Sequence, residues 1–110
     1  MANWGGDRLI LNTRDVRMFT DYFCGPDLDR RDPTISPLFA DLRRMPPALF
    51  SVGTRDLLLD DTLFMAARWA SAGNPLDLAV WPGGCHVFIR FDSRLSEQAL
   101  SRIDGFLTAL

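Results

Sequence analysis

The chain has no apolar run approaching the length of a membrane span, and no cluster of cysteines that would build a scaffold. Its two cysteines, Cys24 and Cys85, are too few for a disulfide framework and lack metal-site spacing. They read as reduced thiols, which places the chain in the cytoplasm. A formal net charge of -2 gives no electrostatic case for nucleic acid or for an anionic membrane surface. The start, Met1-Ala2-Asn3-Trp4-Gly5-Gly6-Asp7, shows no basic stretch followed by an apolar one, so no secretory leader is expected there. Internal repeats, low-complexity tracts and dividing linkers are also missing. Histidine occurs once, at His86.

What is present is ordinary globular composition, 47% hydrophobic and 24% charged over 110 residues, enough for one domain or part of one. Residues 1–6 are small, polar and glycine-rich and are expected to be loose. Arg8 to Leu11 is a short apolar run, either a brief strand or the approach to a helix. With Asn12 or Thr13 as cap, Val16, Phe19, Tyr22 and Phe23 make a helical stripe that Gly25-Pro26 ends. That stripe is expected to face a core; a sharper reading has part of it lining a substrate pocket. Asp27 to Pro37 reads as loop, and Pro37 to Arg44 as a helical turn around Leu38, Phe39 and Leu42.

The remainder is organised as strand, acidic turn, helix, strand, histidine loop. Ala48 to Gly53 is short, apolar and uncharged, as expected of a strand buried on both faces. Asp60 is the expected N-cap of a helix from about Asp61 to Ala72, buried through Leu63, Phe64, Ala67 and Ala70, and Gly73-Asn74-Pro75 stops it. Leu76 to Trp81 is the second strand, and Pro82-Gly83-Gly84 turns the chain toward His86. After Asp92 or Ser93, the spacing of Leu95, Ala99, Ile103, Phe106, Leu107 and Leu110 predicts an amphipathic terminal helix over one sheet face. Trp4, Trp69 and Trp81 read as packing residues.

A strand–helix–strand crossover makes its strands parallel, so both carboxyl ends point the same way. Asp56 lies just past the first strand and His86 just past the second, on one rim of one sheet, where chemistry in open parallel sheets collects. A carboxylate beside an imidazole is the acid–base half of a nucleophilic triad. Cys85 next to His86 suggests a Cys–His nucleophile, but neighbouring side chains in an extended loop point apart. A small residue packing under the loop is the preferred reading. Two parallel strands do not make a stable domain, so the chain either hides more strands or is a piece of a larger sheet.

Taken together, Pro46-Pro47-Ala48-Leu49, Gly53-x-x-Asp56-x-Leu58-x-Asp60-Asp61, and Pro82-Gly83-x-x-His86-x-Phe88 resemble the carboxy-terminal part of an α/β-hydrolase. The nearest group is the hormone-sensitive-lipase-like carboxylesterases and lipases. The resemblance runs from about Leu9 to Leu110. It implies an α/β fold in which residues 1–45 lead, through helix and loop, to the penultimate strand. Residues 46–110 then form the βαβα unit with two parallel strands of an incomplete sheet. It further implies that Asp56 is the triad acid and His86 the general base, acting on a carboxylic ester without metal or organic cofactor.

Two features depart from the family. Val87 stands where glycine usually follows the histidine, which is tolerable if the backbone there needs no positive φ. No Gly-x-Ser-x-Gly and no His-Gly-Gly oxyanion loop occur. Three readings follow: a truncated serine esterase inactive alone, a half completed by an amino-terminal fragment through its open sheet edge, or a non-catalytic, dimerising interaction module.

Overall fold

The computed structural model describes residues 10–110. The expectations for residues 1–6, for Arg8 and Leu9, and for Trp4 lie outside the described residues. In order, the elements are helix α1 (Thr13–Cys24), a 3-10 turn (Pro37–Phe39), strand β1 (Ala48–Gly53), helix α2 (Leu59–Ser71), strand β2 (Leu76–Trp81), a second 3-10 turn (Phe88–Arg90) and helix α3 (Arg94–Thr108). The two strands pair in parallel, in register from Ala48 opposite Leu76 to Gly53 opposite Trp81. The α/β architecture is the one expected, and both strands keep the bounds read from the sequence.

The alternation of side chains along a strand sorts the two helices onto opposite faces. Phe50 packs edge-on against Trp69 of α2, with ring centroids 5.6 Å apart. Asp77, on the other face, is paired with Arg102 of α3 at 2.6 Å. On that same face the Trp81 indole N–H donates to the Ser51 hydroxyl at 3.0 Å. Val52 and Ala79 are buried, whereas Leu78 and Val80 are partly exposed, and both outer strand edges are unpaired among the described residues.

Three local expectations are corrected. Helix α2 begins at Leu59, with Leu58 rather than Asp60 at the cap position and no side-chain cap. The reason is the turn before it. Asp56 already accepts the Leu58 N–H at 2.9 Å, and its carbonyl accepts the Leu59 N–H, so the chain enters the helix two residues early. Asp60 and Asp61 fall in the first turn, where the helix dipole favours them. The buried face is also displaced: Ala66 is buried, with Thr62, Met65 and Trp69 half-buried beside it, while Leu63 and Phe64 are exposed. Trp69 fixes this phase because it must reach Phe50. In α1, finally, Phe19, Tyr22 and Phe23 point outward, Tyr22 being 82% exposed, and only Cys24 is buried. Among the described residues that stripe is left uncovered.

The segment before β1 is stitched to the crossover unit by side chains, among them the Trp69 indole N–H, which donates to the Pro46 carbonyl at 3.3 Å. The Arg68 guanidinium of α2 donates to the carbonyls of Leu38 and Ala40. Asn74, in the turn before β2, donates to the Leu42 carbonyl at 2.6 Å and accepts the Met45 N–H at 3.0 Å. Asn74 and Leu42 are both buried, so these groups have no water to replace a lost partner. Asn74→Ala is expected to lower stability by about 2 kcal/mol in urea unfolding, without shifting the far-UV circular dichroism.

Candidate active site

The site begins with two glycines. Gly53 ends β1 and Gly84 follows β2, and their backbones touch: a Cβ on Gly53 would collide with the carbonyl, C and Cα of Gly84. Around this contact the two strand ends are tied together. Thr54 N–H donates to the Trp81 carbonyl at 2.9 Å, Arg55 N–H to the Gly84 carbonyl at 2.9 Å, and Gly83 N–H to the Thr54 hydroxyl at 2.8 Å. The turns that carry Asp56 and His86 are therefore joined backbone to backbone.

Asp56 is 8% exposed and lies in the turn closed by its own N–H to the Gly53 carbonyl at 3.1 Å. Nδ1 of His86 stands 3.1 Å from Oδ2 and 3.2 Å from Oδ1 of Asp56. An ionised carboxylate only accepts, so Nδ1 carries the proton and Nε2 is the nitrogen left with a lone pair. The histidine side chain is 29% exposed against 10% for the aspartate, an acid held beneath an accessible base. A cleft of about 230 Å³ adjoins the pair, lined in part by Val52, Ile89 and Ile103.

Both predicted site residues are thus brought into hydrogen-bonding contact. Cys85 is half-buried and its thiol makes no hydrogen bond to His86; its carbonyl accepts the Phe88 N–H at 3.2 Å. Among the described residues no serine hydroxyl is hydrogen-bonded to the imidazole, and no group of three or more side chains could hold a metal ion.

At Val87 the condition for tolerating valine is not met, since the backbone does take a positive φ. Its backbone lies in the left-handed region, φ 53° and ψ 26°, a conformation that costs a β-branched residue strain. The cause is the burial of Phe88. The chain must reverse after His86 to lay Phe88 against Trp81, ring centroids 6.3 Å apart, and close the 3-10 turn behind it. Two further contributors escaped the sequence reading. Thr54 bonds across to the histidine loop. Ser96 is 3% exposed and donates to the Phe88 carbonyl at 2.7 Å. The available signal was Ser93-x-x-Ser96, which the sequence reading used only for the Ser93 cap.

The fold is shared with known proteins. A family model described as the α/β hydrolase fold matches residues 2–90. An esterase of Acinetobacter venetianus is 33% identical over 103 residues, covering 92% of this chain and 34% of that protein. An acetyl-hydrolase of Streptomyces hygroscopicus is 35% identical over 102 residues, covering 90% of this chain and 33% of its own length. Among solved structures, a hormone-sensitive lipase from a metagenome library superposes with a TM-score of 0.87 at 27% identity, over 98% of this chain and 39% of that one. The hormone-sensitive-lipase homologue EstE7, also from a metagenome library, gives 0.81 at 30% identity, over 89% of this chain and 34% of that one. The chain spans about a third of the length of the curated relatives it matches.

Substituting glycine for Val87 removes the left-handed penalty of about 1–2 kcal/mol and costs about 0.4–1 kcal/mol through the freer unfolded chain. Val87→Gly is therefore expected to stabilise the protein by about 0.5 kcal/mol net, read as a higher urea midpoint at unchanged slope.

Proposed function

Because this chain belongs to the α/β-hydrolase family and resembles its hormone-sensitive-lipase-like esterases over about a third of their length, we propose that it carries the acid–base half of a serine carboxylic-ester hydrolase. The observation that supports this reading is the Asp56–His86 contact at 3.1 Å on the strand rim. Asp56 holds Nδ1–H and stabilises the imidazolium. Nε2 of His86 takes the proton from a serine hydroxyl as the oxygen attacks the ester carbonyl. It returns that proton to the departing alcohol, and water then repeats the cycle on the acyl-enzyme.

The serine and the oxyanion donors lie outside this sequence, since it holds no Gly-x-Ser-x-Gly. Alone, the chain is inactive in this reading. An amino-terminal hydrolase fragment that adds strands to the open sheet edge completes it. The two free thiols suit a reducing cytoplasm. Among the described residues no helix is long and apolar enough to cross a membrane.

One observation favours a second, non-catalytic reading: among the described residues both outer strand edges are unpaired, and Leu78 and Val80 of β2 are partly exposed. A second copy joined edge to edge would pair one of those edges. Sedimentation showing a monomer at every accessible concentration removes this alternative.

The main test is co-expression with an amino-terminal α/β-hydrolase fragment bearing the serine elbow and oxyanion loop. The expected results are no turnover of a short-chain aryl ester by the chain alone and turnover by the complex. Asp56→Asn should reduce the complex's turnover by about 10⁴-fold and His86→Ala by about 10⁶-fold. Turnover by the pure chain that survives Ser→Ala at every serine would contradict the reading, and a stable complex without turnover would remove the complementation proposal.

A further inference from the structure

We propose that Ser96 is a positioning residue for His86: its buried hydroxyl clamps the Phe88 carbonyl and so holds the strained turn at Val87 that aims the imidazole at Asp56.

The histidine loop is fastened at two ends. On its near side, the Thr54 hydroxyl and the Arg55 N–H bond Gly83 and Gly84. On its far side, Ser96 Oγ donates to the Phe88 carbonyl at 2.7 Å. Between the two lie Cys85, His86 and Val87, and Val87 sits at φ 53° with its side chain 43% exposed. An exposed β-branched side chain contributes little packing to hold itself in the left-handed region. The neighbouring residues must therefore hold it there.

Proton bookkeeping shows that the clamp is built. Each serine hydroxyl has one proton. Ser96 gives its proton to the Phe88 carbonyl, so the 2.8 Å contact between the Ser93 and Ser96 hydroxyls is a donation from Ser93. Ser93 in turn accepts the Ser96 N–H at 3.2 Å as the cap of α3. The chain of bonds runs from helix cap to Ser96 to loop carbonyl, and each donor polarises the next. A helix cap requires only Ser93. A second buried hydroxyl aimed back at the residue two beyond His86 has no part in capping.

The inference rests on the proposed role of His86, but its test reads the ring and not turnover, so either can fail alone. His86 is the sole histidine, so the ¹⁵N chemical shifts of its imidazole belong to that ring alone and report its tautomer. In the native 110-residue chain the Nδ1–H tautomer should dominate. Ser96→Ala is expected to lower the Nδ1–H to Nε2–H ratio about tenfold, the effect of losing one hydrogen bond to a charged acceptor.

Ser93→Ala removes the cap and its donation to Ser96 but leaves the Ser96–Phe88 bond, so it should reduce stability while moving the ratio far less than Ser96→Ala does. Adding Val87→Gly to Ser96→Ala, which relieves the strain the clamp opposes, should return the ratio toward the wild-type value. If Ser96→Ala does not fold, Ser96→Cys, which keeps the volume but gives up the strong bond, takes its place. An unchanged ratio in the folded Ser96 variant, or an equal change in Ser93→Ala, overturns the proposal.

Discussion

Two backbones meet at Gly53 and Gly84 with no side chain between them, and the relative position of everything chemical follows from that contact. It brings the end of β1 against the turn after β2, closely enough for Arg55 N–H to reach the Gly84 carbonyl at 2.9 Å. A methyl group on Gly53 would push the Gly84 backbone away and, with it, the loop that ends in His86. The acid and the base are thus positioned chiefly by main chain. Their side chains need only span the last few ångströms.

Away from that rim the molecule is less finished. No large side chain is fully buried among the described residues. Tyr22, Phe23, Phe64, Leu107 and Leu110 stand outward, and among the described residues both edges of the sheet are open. A parallel sheet is normally covered on both faces and flanked by further strands. The same features that leave the core thin give the sheet somewhere to grow. The curated relatives this chain matches are about three times as long.

The strands were legible because each is a compact apolar run bounded by Pro, Gly or Asn, and a crossover admits only one relative direction. Asp56 and His86 were legible because strand ends in a parallel sheet share a rim. The phase of α2 was not, since Leu63, Phe64, Met65, Ala66, Ala67 and Trp69 put apolar groups all round the helix. Only the meeting of Trp69 with Phe50 chooses among them. The start of α2 was misread because Asp56 uses its carboxylate for the turn as well as for His86, which makes a cap at Asp60 superfluous. The outward face of α1 looked like core because periodicity reports amphipathicity and not whether a partner is present. The left-handed turn at Val87 carried no local signal, as it is imposed by where Phe88 must go.

Asp56 and His86 lie thirty positions apart, within a single strand–helix–strand unit and the loop after it. The two are therefore encoded in one short stretch of sequence. A gene breakpoint anywhere upstream of Pro46 moves the carboxylate and the imidazole together. Selection on the seam would fall on strand-edge fit, not on the geometry of the carboxylate and the imidazole.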